Sequence, residues 1–432
     1  MNELVSQAAH CTTTPAASAF DRFLRNRLIE RLRGLRHGQL LVHDRWGSVE
    51  LGETPSMGAP LVVNVTVRNP AFYRAVAMQG SVGAGDAYGD GDWHCDNLVG
   101  LVQLLVRNRD LLDGMETGAA RIGGAMLKLW HALRRNTREG SRRNIAEHYD
   151  LGNDFFRTFL SSDMMYSSAL WSDESDTLER ASTRKLDVIC QKLGLRPGLS
   201  VVEIGTGWGG FAIHAAKYYG CHVTTTTISR EQYEFARQRV DEQGLDHSIT
   251  LLMLDYRDLD GQYDRLVSIE MVEAIGAEYL PAYFSKLTQL LKPDGLALVQ
   301  AITIEDHRYT QALRSVDFIK RHVFPGSFIP SINAMLCAKS EVGDMALVHL
   351  EDFGQSYART LHAWRQRFMG ALPQARAQHF DERFIRLWEF YLTYCEGGFL
   401  ERSIGVSHLL FARPQAQPRA TRWTDATETA HI

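Results

Sequence analysis

The chain has 432 residues, enough for two or three domains and too long for one simple core. Hydrophobic residues make up 45% and charged residues 23%, which excludes wholesale disorder and the collagen-like or disulfide-scaffold classes. Lys and Arg total 47 against 51 Asp and Glu, a net charge of -4, so the overall charge gives no reason to expect nucleic acid, and an anionic partner must meet a local patch.

No run approaches the ~18 uninterrupted apolar residues of a membrane span. Leu98 to Val106 is broken by Gln103 and ends at Arg107. The opening MNELVSQAAHCTTTPAASAF lacks the basic start and apolar core of an export signal. Six cysteines (Cys11, Cys95, Cys190, Cys221, Cys337, Cys395) form no CxxC pair, and His148, His214 and His322 have no ligand companions at useful spacing. Neither a metal site nor a disulfide framework is expected, and a reducing cytosol is the default.

Between Ala17 and Arg36 the string FDRFLRNRLIERLRGLR repeats Phe20, Leu24, Leu28, Leu32 and Leu35 at helical spacing. The spacing predicts an amphipathic helix whose other faces carry Arg22, Arg25, Arg27, Arg31, Arg33 and Arg36, suited either to solvent or to anionic lipid headgroups. From Gly38 to Arg68, short β-branched runs separated by turn residues predict a small sheet. GSVGAGDAYGDGDW, from Gly80 to Trp93, reads as turns, because no lysine follows its glycines as a phosphate loop requires. KLWHALRRNTREGSRR, ending at Arg143, is basic and polar and reads as an interdomain linker. Beyond about residue 144, LSVVEIG, CHVTTTTIS, ITLLMLD, DRLVSIE and GLALVQAIT read as strands separated by helices, the grammar of an open parallel sheet covered on both faces. Residues from Asp306 to Phe399 read as mostly helical and aromatic-rich.

The strongest local signal is Glu203-Ile204-Gly205-Thr206-Gly207-Trp208-Gly209-Gly210, an apolar strand running into a glycine turn that opens a helix. Such a turn lets backbone approach a nucleotide-type ligand closely. The second strand ends Thr226-Thr227-Ile228-Ser229, followed by Gln232, with no acidic residue to hold a dinucleotide ribose, so NAD loses ground. Asp255, Tyr256, Arg257 and Asp258 end the third strand, either as ligand contacts for an adenine or as cap and salt-bridge residues.

EIGTGWGG, TTTTIS, LDYRDL, SIEMVEAIG and FPGSFIPS, with AEHYDLGNDFF and MMYSSALW upstream, resemble in order and spacing the motif series of cyclopropane fatty acid synthases over about residues 141 to 413. The resemblance implies an α/β fold: a Rossmann-like seven-stranded class I methyltransferase domain at 144–413 with helical acyl-pocket insertions, plus a small α+β amino-terminal domain at 1–113 for membrane docking, a basic linker at 114–143 and a tail at 414–432. It implies S-adenosylmethionine held by Tyr166, Ser167, Glu203, Gly205, Gly207, Thr227, Ile228, Gln232, Tyr256 and Arg257, unsaturated phospholipids as substrate, a cytoplasmic enzyme at the inner membrane surface, and a possible homodimer. Trp364, Phe368, Trp388, Phe390, Tyr391 and Tyr394 are candidates for the acyl tunnel or for simple core.

The chemistry implied is methyl transfer to a double bond, a carbocation steadied by aromatic faces such as Tyr149, Phe155 or Phe156, and loss of a proton to a base. In this family the base is a bound bicarbonate. Glu273, Tyr357 and the backbone of Ile302 match its holders, whereas Ser168 replaces the usual Cys, Gln300 the usual His, and Ala274 the His that follows the glutamate. Bicarbonate held by Ser168, Glu273, Gln300 and Tyr357 is the favoured reading. A protein carboxylate is the alternative, namely Glu270, which stands where glycine is more usual; Glu270 is expected at least to tune the site. Cys395 matches a family active-site cysteine, although methyl transfer to an alkene needs no thiolate. Competing outcomes are a methyl-branched or methylene product and a non-catalytic lipid-binding homologue.

Overall fold

The computed structural model describes residues 18–53, 61–113, 140 and 151–417. Two compact units emerge, one from residues 1–126 with Asp381–Phe390, the other from residues 127–380 with 391–432. Tyr149, His148, Cys11 and almost all of the basic linker lie outside the described residues.

In the first unit a helix spans Ala19–Leu32. Ser18 Oγ accepts from the Asp21 N–H at 3.1 Å while the Asp21 carboxylate accepts from the Ser18 N–H at 3.0 Å, so two of the free donors at the helix start are satisfied. Only the end of the apolar stripe is buried: Leu32 and Leu35 are covered, Leu24 and Leu28 are half-buried, and Phe20 is exposed. Asp21, Arg25, Ile29 and Leu32 face inward, because Arg25 Nε and the Tyr73 hydroxyl both donate to Asp44 Oδ2 at 2.5 Å. This buried polar knot turns Phe20 and Phe23 outward, each 57% exposed, with rings stacked 6.5 Å apart.

Strands β1 (Gly38–Asp44) and β2 (Gly47–Glu53) pair antiparallel, β3 (Val62–Val67) lies parallel to β1, and β4 (Trp93–Cys95) closes the order β2-β1-β3-β4. The glycine-rich segment after Gly80 is helical rather than a run of turns. A helix covers Ala71–Gly89 with a kink at Gly80, where φ is 55° and ψ -126°. The small residues serve close packing: a Cβ on Gly83 would stand 2.0 Å from the Ala75 carbonyl oxygen.

The second unit holds a seven-stranded sheet in the order β10-β11-β9-β8-β5-β6-β7. These are β5 (Ser200–Ile204), β6 (His222–Thr227), β7 (Ile249–Met253), β8 (Tyr263–Ile269), β9 (Leu291–Ile304), β10 (Ala346–Asp352) and β11 (Ile404–Ala412). The first five run parallel; β11 pairs antiparallel with both β9 and β10. Strand β10 was hidden within the stretch read as mostly helical, because ALVHLED alternates exposed and half-buried residues at a sheet edge and carries no long apolar run. Alternation sends Val201 and Val267 to one face, against Phe211, Ala215 and Ile189, and Val202 and Leu266 to the other, against Tyr283, Phe284 and Leu287. Chain reversals after the parallel strands therefore gather at one rim.

Away from that rim, Asp264 ties β8 to β5. It accepts from Ser200 N at 2.9 Å, Ser200 Oγ at 2.7 Å and Lys292 Nζ at 2.7 Å. Burial pushes its carboxyl up, but these hydrogen bonds win and bring it from 3.8 to about 2. Asp264→Ala should cost ~1–3 kcal/mol in urea melts at neutral pH. Because the folded-state value is depressed, the wild-type advantage is present above 3.8 and fades as pH falls toward about 2. A gap between the two proteins that stays constant across that window would show that folding does not depress the Asp264 carboxyl.

Candidate active site

The β5 turn is built from below. Glu203 Oε2 accepts from Thr225 Oγ1 at 2.6 Å, Thr225 shares a 2.7 Å hydrogen bond with Thr206, and the Gly205 and Thr206 N–H groups donate to Thr226 O at 3.1 and 3.0 Å. Gly205 and Gly207 have φ of 96° and 52°, which glycine adopts without steric penalty. Glu203, expected at the cofactor, is 2% exposed and supports the turn; burial raises its carboxyl to about 8. Thr227 donates to Gln232 Oε1 at 2.9 Å, and Ile228 is half-buried beside them. At the end of β7, Asp255 is 3% exposed and clamps Arg257 through bonds of 2.8 and 2.6 Å, so it is a structural partner and not a free ligand group. Arg257 lies 5.7 Å over the Tyr256 ring and 5.9 Å over the Tyr279 ring. The Tyr256 hydroxyl is buried and has no hydrogen-bond partner among the described residues.

A second cluster forms where β8 and β9 end. Register places Ile269 opposite Gln300 and Gln300 opposite His408 on β11. Glu270, one residue beyond β8, therefore reaches Gln300, whose Nε2 donates to Glu270 Oε1 at 2.7 Å. The Ser168 N–H donates to the same oxygen at 2.8 Å, and the Tyr357 hydroxyl to Glu270 Oε2 at 2.7 Å. Burial raises the Glu270 carboxyl; Glu273 is pushed up to about 8 by burial first and by the Glu270 charge second. The Ile302 N–H donates to Glu273 Oε1 at 2.5 Å, while Glu273 Oε2 is buried with no partner among the described residues.

Sequence reasoning missed three residues behind this cluster. His408 Nε2 lies 3.0 Å from Gln300 Oε1, and its Nδ1 is 2.9 Å from Lys192 Nζ. Lys192 also donates to Glu351, whose side chain is 44% exposed. Lys185 donates to Ser167 Oγ at 2.8 Å, and burial lowers its ammonium to about 8. A buried Lys at helical spacing was the available signal, but no motif marks its partners.

Aromatic rings close over Tyr166. Phe156 and Trp364 lie 5.3 Å from it, Phe324 6.2 Å and Phe159 6.3 Å, and its hydroxyl is 2.9 Å from that of Tyr391. Phe155 turns away to Phe380 and Phe368, at 4.7 and 5.9 Å. Among the six aromatic residues proposed for a tunnel, Trp388 and Phe390 belong to the first unit, Phe390 packing 5.7 Å from Tyr88; Tyr394 lies 6.3 Å from Phe318. Burial keeps the Cys395 thiol far above its ordinary value, so it is no thiolate. No group of His, Cys, Asp and Glu suited to a metal occurs among the described residues.

Sheet order, glycine turn and rim cluster define the class I methyltransferase architecture. The family model for mycolic acid cyclopropane synthetase matches residues 136–409, and the chain belongs to that family of S-adenosylmethionine-dependent enzymes. It is 37% identical over 352 residues to a cyclopropane-fatty-acyl-phospholipid synthase of Escherichia coli, covering 81% of this chain and 88% of that one. It is 36% identical over 357 residues to a tuberculostearic acid methyltransferase of Mycobacterium tuberculosis, covering 81% and 83%. A solved mycolic acid cyclopropane synthase complexed with SAH and CTAB aligns with a TM-score of 0.59 and 30% identity, over 63% of this chain and 98% of that one.

The bicarbonate implied by resemblance does not fit these residues. The Ser168 N–H, Gln300 amide and Tyr357 hydroxyl, the donors it would need, end on Glu270, and the Ile302 N–H ends on Glu273. A second anion here would meet the Glu270 charge in a desolvated site.

Glu203 offers a test of the turn. Its folded-state value, about 8, lies above the ordinary 4.5, so wild-type stability should fall as pH rises from 4.5 to about 8. Glu203→Gln keeps the acceptor for Thr225 without that titration, and should melt with the wild type at low pH and above it at alkaline pH. The reverse order would mean that the carboxylate is ionised in place.

Proposed function

We propose that this enzyme transfers the methyl carbon of S-adenosylmethionine to the cis double bond of unsaturated phospholipid acyl chains and closes it into a cyclopropane ring. The observation that carries this reading is a desolvated carboxylate cluster next to a methyl-donor turn and beneath an aromatic enclosure. Tyr166, Ser167, the turn at Gly205 and Gly207, Thr227, Ile228, Gln232, Tyr256 and Arg257 are the proposed cofactor holders. An alkene is a weak nucleophile, so it must be held in line with the sulfonium and kept dry. Phe156, Tyr166 and Trp364 offer ring faces for the cation that follows. Glu270, Glu273 and Cys395 keep some accessible surface although their acids are strongly desolvated, as groups facing a narrow enclosed space do.

Expression in a host lacking cyclopropane lipids should give acyl chains heavier by one CH2 unit, with the retention of cyclopropane esters. A methyl-branched or methylene product would instead favour the second reading, which the tuberculostearic acid methyltransferase relative supports. Cofactor binding without any lipid product would contradict both.

The substrate lies in a bilayer, and no described helix is long and apolar enough to cross one. We place the enzyme at the membrane surface, with Phe20 and Phe23 entering the interface and the exposed Arg22 and Arg27 meeting anionic headgroups. In flotation with anionic vesicles, Phe20→Ser/Phe23→Ser should reduce the bound fraction severalfold, a loss equivalent to ~1–2 kcal/mol. Unchanged flotation would remove this helix from the docking surface.

A further inference from the structure

Glu270 has a backbone φ of 48°, in the left-handed region that a side chain enters only against steric strain. Glycine, which resemblance places here, would avoid that strain. The side chain is nevertheless held by three donors: the Ser168 N–H at 2.8 Å, Gln300 Nε2 at 2.7 Å and the Tyr357 hydroxyl at 2.7 Å.

The Gln300 amide is itself oriented from behind. Lys192 has only protons to give, so at 2.9 Å His408 Nδ1 must accept. His408 Nε2 then carries the hydrogen and donates to Gln300 Oε1 at 3.0 Å, which leaves the amide NH2 facing Glu270. Burial, and then the Lys192 charge, push His408 well below its ordinary value, consistent with a neutral ring. The chain from Lys192 to Glu270 thus points every donor toward one carboxylate. Burial raises both acids, but among the described residues Glu270 accepts three donors and Glu273 only the Ile302 N–H, which places the proton of the pair on Glu273.

We infer that Glu270 is the built-in base of this enzyme: its carboxylate fills the anion position and takes the ring-closing proton itself, so that no bicarbonate is bound or needed. The inference rests on the methylene-transfer reading above. In the step it describes, the alkene π pair bonds to the methyl carbon as the C–S bond breaks, and S-adenosylhomocysteine leaves with the C–S electron pair on sulfur. A Glu270 oxygen takes a proton from the new methyl group. The C–H electron pair forms the second C–C bond, the ring closes on the cation, and the proton remains on Glu270 until product release opens the site to solvent. His408 and Lys192 act as positioning residues.

The test compares wild type, Glu270→Gln and Glu270→Gly in CO2-stripped buffer with and without added bicarbonate, with S-adenosylhomocysteine binding as the folding check. Wild-type turnover should be unchanged within about twofold by bicarbonate, and 13C-bicarbonate should show no saturable NMR line broadening with it. Glu270→Gln should lose at least about 100-fold in turnover and stay unresponsive, because the amide still fills the position. Glu270→Gly vacates it and should bind 13C-bicarbonate and recover part of its turnover when bicarbonate is added. Saturable bicarbonate binding by the wild type, or a collapse of its turnover on CO2 removal, would overturn the inference whether or not the variants fold. An inactive wild type would instead sink the proposed reaction, while the binding arm still decides who holds the anion position.

Discussion

One buried carboxyl group, that of Glu270, organises the second unit. A carboxylate taken from water is tolerable only when donors surround it, and a single orphaned oxygen would cost on the order of several kcal/mol. Glu270 receives donors from the loop at Ser168, from Gln300 on β9 and from Tyr357 on the helix Gly354–Gly370. The sheet's register supplies this convergence. Gln300 faces Ile269 across a parallel pair and His408 across an antiparallel one, so a slip of one residue would send the amide to the opposite face.

The antiparallel β11 has a role beyond completing the sheet. It places His408, fully buried, between Gln300 and Lys192, and so carries the influence of a buried ammonium to the rim. Lys192 in turn reaches a partly exposed Glu351 on the edge strand. The result is a polar line across the antiparallel end of the sheet, from Lys192 through His408 and Gln300 to Glu270. Such a line strengthens electrostatic effects at the rim because the surrounding dielectric is low.

Much of this was legible in the chain. The turn at Gly205 and Gly207 and the existence of the parallel strands follow from local patterning, since each is a short apolar or β-branched run bounded by turn residues. The identities of Ser168 and Gln300 flagged an altered base site. Their common partner was not legible, because whether a carboxylate at position 270 points into the site depends on a φ of 48°, a property of tertiary context. His408 and Lys192 stand 216 positions apart and belong to no local motif. Composition also misled twice. Glycines after Gly80 serve close packing within a kinked helix, and the start of the first helix turns Asp21 and Arg25 inward and Phe20 outward because Asp44 and Tyr73 wait beneath it, while Leu32 stays buried.

The most direct test is a crystal structure of the enzyme with S-adenosylhomocysteine and a cationic amphiphile, grown in the presence of bicarbonate. The account predicts the Glu270 carboxylate within hydrogen-bonding distance of the Ser168 N–H, the Gln300 amide and the Tyr357 hydroxyl, with the amphiphile's cationic head near it. A planar three-oxygen anion seated on those donors, with Glu270 swung away, would contradict it.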